Sequence, residues 1–271
     1  MPLAYRQAGL WQKLVICLMK IGIIGAGQIG ATLIKQYRNA GYEVRMTNAS
    51  GIEKLKGLES ETGAKAVLLS EVVRDVDVLV ISIPFFEIPK LAKTLGQGIS
   101  DNTIIIDTTN YYPLRDGPIE DVEKGMLESD WVSNQLSRPV VKVYNSILAG
   151  SLVQAGLPKG STNRIALPVS GNSNQAKQVV VTLVNCSGFD ALDIGNLSNS
   201  WKQQPGTPVY CADLNLSQLK QNIDKADIKK APQRRDLALQ FILKQNPARW
   251  LDWWKDCVTN NRIVFETDLN E

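Results

Sequence analysis

The chain reads as an α/β protein, a doubly wound parallel sheet followed by a small helical C-terminal region. Three observations predict this. Residues Lys20 to Gly51 spell a strand, a glycine-rich turn, a helix and a second strand. Short apolar runs then alternate with helical patterns as far as Gly195, at intervals that allow only simple crossovers between parallel strands. Beyond Gly195 the strand signal fades, and Asp213 to Ala226 and Pro232 to Gln245 read as amphipathic helices.

The opening unit carries the most information. Ile21 to Ile24 is a continuous apolar run, as a strand buried on both faces requires. Gly25, Gly27 and Gly30 follow as Gly-x-Gly-x-x-Gly, and Ile29, Leu33 and Tyr37 then recur every fourth residue, with Ile34 beside them, until Gly41 stops the helix. The first glycine permits the tight turn, the second lets a pyrophosphate approach the backbone, and the third lets helix and strand pack closely. The free amides and positive dipole end of the helix then face the phosphates. The spacing predicts dinucleotide binding by a Rossmann-type domain.

The second strand, Glu43 to Thr47, ends where an Asp or Glu would hydrogen-bond the ribose 2′-hydroxyl of NAD. The residues there are Asn48, Ala49, Ser50 and Gly51, with no acid before Glu53. That absence favours NADP, with NAD still possible. Asn48, Ser50 and Lys54 are the candidates to hold a 2′-phosphate, and as ordinary turn residues they need no ligand at all.

A short helix over Gly51 to Gly63, a strand over Ala64 to Leu69 and a helix start at Ser70 and Glu71 come next. Asp77 to Ile83 is a buried strand ended by Pro84, which turns the chain out at the strand's carboxyl edge, where open parallel sheets bind ligands. A helix over Ile88 to Leu95 leads to the strand Thr103 to Asp107 and then to Asn110. Residues 114–138 are polar and read as a loop with partial helix. Pro139 to Tyr144 is a sixth strand, followed by Asn145 at the same edge as Asn110. Such asparagines can orient a carboxamide or a substrate carbonyl, and equally can cap a turn or helix. Arg164 to Val169, Gln175 to Cys186 and Phe189 to Ile194 close the α/β part as strand, helix and strand.

Composition narrows the chemistry. Across 271 residues, 44% apolar and 21% charged with a formal net charge of +3, the chain reads as globular, and the balance argues for neither nucleic acid nor a membrane surface. It holds no histidine, which removes the usual general base and metal ligand. Cys17, Cys186, Cys211 and Cys257 form no Cys-x-x-Cys pair, so no metal site is expected, and unpaired thiols fit a reducing cytoplasm. Residues 1–18 read as an N-terminal extension, residues 19–195 as the nucleotide-binding domain, and residues 196–271 as a C-terminal helical region for substrate or dimerisation. The cluster of Trp250, Trp253 and Trp254 suits a packing or subunit anchor, hence an expected homodimer.

Several stretches together resemble a known family. The glycine-rich unit, IPFFEIP at 83–89, DTTNYYPLRDG at 107–117, VVKVYNSI at 140–147, RIALPVSGN at 164–172 and GFDALDIGNLSNSWKQQPGTPVYC at 188–211 resemble the NADP oxidoreductases typified by the NADPH-dependent reductase of the deazaflavin coenzyme F420. A bacterial branch of dinucleotide-binding proteins is similar as well. The resemblance runs from Met19 to Leu214. It implies a phosphate-binding turn on Ala26, Gly27, Gln28 and Ile29, a 2′-phosphate site on Ala49, Ser50 and Lys54, and a nicotinamide end against Ser82, Ile83 and Pro84. The family's serine and arginine at the 2′-phosphate have become Ala49 and Ser50, and one lysine holds a phosphate less directionally than a guanidinium fork.

The resemblance further implies direct hydride transfer between the nicotinamide and a stacked flavin-like or deazaflavin ring, with no obligatory acid or base. That suits a chain without histidine. Leu197 to Trp201 is the candidate second wall for that ring, with Ser200 and Trp201 as substrate-binding residues beside Asn145; Trp201 is equally suited to a core or dimer contact. No catalytic side chain is assigned. A hydroxyacid or pyrroline-carboxylate reductase shares the opening but needs a longer helical second domain. A regulator or redox sensor that holds NADP without turnover is the alternative outside enzymes.

Overall fold

The computed structural model describes residues 19–96 and 98–266; the expected extension over residues 1–18 lies outside the described residues. Six strands form one parallel sheet: β1 (Lys20–Ile24), β2 (Glu43–Thr47), β3 (Lys65–Ala66), β4 (Val78–Ile81), β5 (Ile104–Asp107) and β6 (Val140–Lys142), in the order β3-β2-β1-β4-β5-β6. The strand order reverses between β1 and β4, where Ile24 stands beside Ile81. The chain segments leaving these two strands therefore diverge from adjacent points, which is where such sheets open a crevice.

Strand periodicity explains how both faces are covered. Ile21 and Ile23 of β1, with Val78 and Val80 of β4, point to the face that buries Leu33, Ile34 and Tyr37 of the first helix, Gln28–Asn39. Ile24, Leu79 and Ile81 point to the opposite face, where Ile88 and Leu91 of the helix Ile88–Leu95 meet Trp131, Val132 and Leu136 of the helix Glu128–Leu136. Residues buried on alternating sides read as unbroken apolar runs, and the sequence shows this.

The last two strands depart from expectation. β7 (Ala166–Val169) and β8 (Asp190–Asp193) pair in parallel as a sheet of their own. Among the described residues, one antiparallel exchange joins it to β6, the Lys142 amide donating to the Ser170 carbonyl at 2.9 Å and the Ser170 amide to the Lys142 carbonyl at 3.2 Å. Pro168 within β7 has no N–H for another ladder, so the strand stays at an edge. The expected third strand shrinks to two residues, Lys65–Ala66. Residues 114–138, expected to be largely loop, hold three helical segments: Pro113–Asp116, Glu120–Glu123 and Glu128–Leu136.

The C-terminal region is helical as expected. Among the described residues its segments are Leu197–Gln203, Leu216–Asn222, Ile223–Lys225, Ala231–Leu243, Pro247–Arg249 and Trp250–Glu266, the first, third and fifth 3-10 helices. Trp254, from the tryptophan cluster, packs inside its own chain: a Cβ built on Gly150 would stand 2.2 Å from its ring. Asn261 and Arg262 of the same helix donate to the carbonyls of Cys211 and Ala212 at 3.2 and 2.7 Å. Gly150→Ala is expected to lower stability by about 1–3 kcal/mol through overpacking. Urea unfolding of that variant checks it, and limited proteolysis should show first cleavage between the last two helices.

Candidate functional site

The glycine-rich turn sits at the strand-order reversal, and its three glycines divide into two kinds. Gly25 has φ +99°, and a Cβ on it would lie 2.1 Å from the Ser82 carbonyl oxygen. A Cβ on Gly30 would lie 1.9 Å from the Gly25 carbonyl oxygen. Both are therefore fixed by packing. Gly27 differs: nothing stands within 4 Å of where its Cβ would be.

Gly27 caps the first helix without any side-chain hydrogen bond, and the first turn holds no acidic residue. The first backbone bond is that of the Ala31 amide to the Gly27 carbonyl at 2.8 Å, so the amides of Gln28, Ile29 and Gly30 precede any intrahelical acceptor. Open space at Gly27, three outward amides and a positive dipole end make a cradle that fits a pyrophosphate.

On the adenosine side, Asn48 follows β2 half-buried, its Oδ1 enclosed and without a hydrogen-bond partner. Ala49, Ser50 and Lys54 are exposed. Lys56 pairs with Glu53, whereas Lys54 is in no ion pair among the described residues. On the other side the Ser82 amide donates to the Ile24 carbonyl at 2.8 Å, which brings Ser82, Ile83 and Pro84 beside the turn. Ser82 and Ile83 are half-buried and Pro84 is exposed.

Asn110 and Asn145 come together. Asn110 Nδ2 donates to the Asn145 carbonyl at 2.8 Å, and Asn145 Nδ2 donates to Asn110 Oδ1 at 3.1 Å and to the Gln203 carbonyl at 2.8 Å. Gln203 Nε2 completes the cycle by donating to Asn145 Oδ1 at 2.7 Å. Asn145, expected at the substrate, is buried with its carboxamide engaged on both ends, so in this structure it holds Asn110 in place. Ser200 is likewise buried, its Oγ without a partner.

Trp201 lines a cavity of about 240 Å³ together with Tyr111, Glu128, Gln204, Pro232 and Arg235. Glu128 is the residue that sequence reasoning missed. Its carboxylate accepts the Tyr111 amide at 3.2 Å and a hydrogen bond from Gln204. Burial pushes its pKa up to about 7, the nearby Lys142 opposing the rise and Asp107 adding to it. Lys142 and Asp107 are themselves fully buried and paired at 2.8 Å. Trp131, Val132 and Leu136 mark the buried face of the helix that Glu128 opens.

Fold and turn together are those of dinucleotide-binding α/β domains. Residues 20–111 match the family model described as NADP oxidoreductase, coenzyme F420-dependent, the same family that the motifs resemble. Among curated relatives, the protein YjhV of Escherichia coli is 51% identical over 57 residues, 21% of this chain and 42% of that protein. The chain spans less than half the length of the curated relatives it matches. A solved structure of a hypothetical protein from Sinorhizobium meliloti is 27% identical with TM-score 0.62, over 75% of this chain and 97% of that one. A candidate F420-dependent NADP-reductase from Arthrobacter is 21% identical with TM-score 0.57, over 67% of this chain and 87% of that one, and shares the fold. Among the described residues, no helix is long and apolar enough to cross a membrane.

Proposed function

We propose that this chain transfers a hydride between NADPH and a planar, flavin-like acceptor. The observation that carries the reading is the open Gly27 in a turn whose Gly25 and Gly30 lie against Ser82, with the family match over the same segment. The amides of Gln28, Ile29 and Gly30 bind the pyrophosphate, Asn48, Ala49, Ser50 and Lys54 frame the adenosine ribose, and Ser82, Ile83, Pro84 and Asn110 border the nicotinamide. NADPH supplies the hydride. The chain contributes by holding two rings together and excluding water, an orientation effect worth about 7–11 kcal/mol in favourable cases. Residues 19–195 serve as the nucleotide-binding unit and residues 196–271 as the acceptor side.

Cofactor titration by calorimetry, followed by acceptor-dependent loss of reduced-nicotinamide absorbance with flavin and deazaflavin, tests the proposal. NADPH binding without turnover on any planar acceptor would favour a sensor. Lys54→Ala is expected to weaken NADPH about two- to five-fold, the worth of one exposed ionic contact, and to leave NADH affinity unchanged. Ser50→Arg should shift preference further toward NADPH, because a guanidinium grips a phosphate in two places. Equal effects of Lys54→Ala on both cofactors would place the 2′-phosphate elsewhere.

A further inference from the structure

The hydride-transfer reading uses no acid or base, yet the cavity walled by Trp201 is lined by a buried carboxyl group, that of Glu128. We infer that Glu128 donates a proton to the acceptor, and that the acceptor belongs to the class of planar compounds that take up a hydride and a proton together, such as flavins and quinones. This rests on the hydride-transfer reading and extends it by naming the acceptor class and the residue that selects it.

Glu128 opens the helix Glu128–Leu136 and is 4% exposed, so water does not dominate its surroundings. It lines the cavity walled by Trp201, whose indole offers a planar ring to a planar ligand. The Tyr111 amide that it accepts follows Asn110, so the carboxyl group is tied to the carboxyl edge of β5. One side of the cavity comes from the C-terminal region: Ala231, Pro232 and Arg235, the Arg235 side chain being 13% exposed. The acceptor pocket therefore draws on residues beyond the nucleotide-binding unit.

Tyr112, next to Tyr111, is one titratable group that faces Glu128. Lys142 and Asp107 face it from β6 and β5 and neutralise one another at 2.8 Å. At the cavity, Arg235 of the C-terminal region stands near Tyr111, whose hydroxyl donates to Glu123 at 2.7 Å. Of the two, Lys142 acts on Glu128 more strongly than Asp107, so the pair opposes the effect of burial only in part. With its pKa pushed up to about 7, its proton is present and transferable near neutrality. In the step, the acceptor takes a hydride with two electrons from NADPH and a proton from Glu128. Two hydrogens are added to the acceptor, NADPH becomes NADP+, and the carboxylate recovers its proton from water.

The test compares wild type, Glu128→Gln and Glu128→Asp in steady-state NADPH oxidation with riboflavin, deazaflavin and menadione from pH 5 to 9. Wild-type kcat/KM is expected to fall as pH rises through about 7. Glu128→Gln should be slower by on the order of 100-fold and flat with pH, a typical loss for a general acid. Glu128→Asp, with its proton further from the acceptor, should be slow yet keep a pH-dependent profile. Calorimetry should find unchanged NADPH affinity in all three.

Thermal melting gives a second readout. A carboxyl group whose pKa rises on folding contributes stability that is full below its unfolded pKa and lost as pH rises through its folded one. Wild type should thus melt with Glu128→Gln at pH 4 and progressively below it from pH 5 to pH 8. An active Glu128→Gln with the wild-type pH profile would overturn the proposal and leave the hydride-transfer reading intact. Absence of wild-type turnover with all three acceptors would overturn both, the NADPH titration then showing whether the nucleotide site stands.

Discussion

Gly27→Val should fold as wild type and lose NADPH affinity on the order of 10- to 100-fold, whereas Gly30→Ala should not fold. The two glycines belong to one motif, and the structure separates them. At Gly27 the backbone has φ −72°, which any residue adopts, and no atom lies within 4 Å of the new Cβ. Val is a poorer cap than Gly, at a cost of at most about 0.5–2 kcal/mol, which leaves the domain folded. The added side chain instead fills the space through which a phosphate reaches the helix amides, and each charge-assisted hydrogen bond lost is worth about 1.5–3 kcal/mol. At Gly30 the Cβ would overlap the Gly25 carbonyl oxygen at 1.9 Å, a backbone atom with no flexible side chain to yield. Circular dichroism melts and calorimetric NADPH titration read the two effects separately. Wild-type NADPH affinity in a folded Gly27→Val would place the pyrophosphate away from this turn.

The same contrast shows how far the sequence can be read. The motif gives the turn its shape, because the strand, the glycines and the helix that enforce it are contiguous. β2 and the helix Ile88–Leu95 fall at their expected bounds, and β1 extends one residue earlier, to Lys20. What resisted reading depends on distant partners. The separate pairing of β7 with β8 is decided by where Ser170 meets Lys142, and the burial of Trp254 by the absence of a side chain at Gly150. The partner of the Asn145 carboxamide was not legible, because Gln203, which engages it, lies in a stretch with no strand or helix signal of its own. Glu128 was hidden by polar neighbours that concealed a nine-residue helix. The Asp107–Lys142 pair is of the same kind, because only the register of β5 against β6 sets Asp107 opposite Lys142.

Lys142→Met should cost about 3–5 kcal/mol of stability, the penalty for leaving one member of a buried ion pair without its partner. Both side chains are fully buried, and the ammonium bridges Asp107 and the Thr109 carbonyl. After the substitution Asp107 would keep only the Thr109 amide at 2.8 Å and hydroxyl at 2.7 Å, too few donors for a carboxylate away from water. Adding Asp107→Asn to Lys142→Met removes the stranded charge, and the double variant should recover much of the loss, since the pair stabilises little over a neutral replacement. Urea unfolding of both single variants and the double variant at one pH measures this coupling; a Lys142→Met variant within 1 kcal/mol of wild type would remove the pair from the core's energetics. The pair also bears on the site. Lys142 is the cation that opposes the rise in the Glu128 pKa, so its removal should move the Glu128-dependent fall in kcat/KM to a pH above about 7. A shift of the profile in the double variant as well, where stability is restored, would separate this electrostatic effect from loosening of the fold.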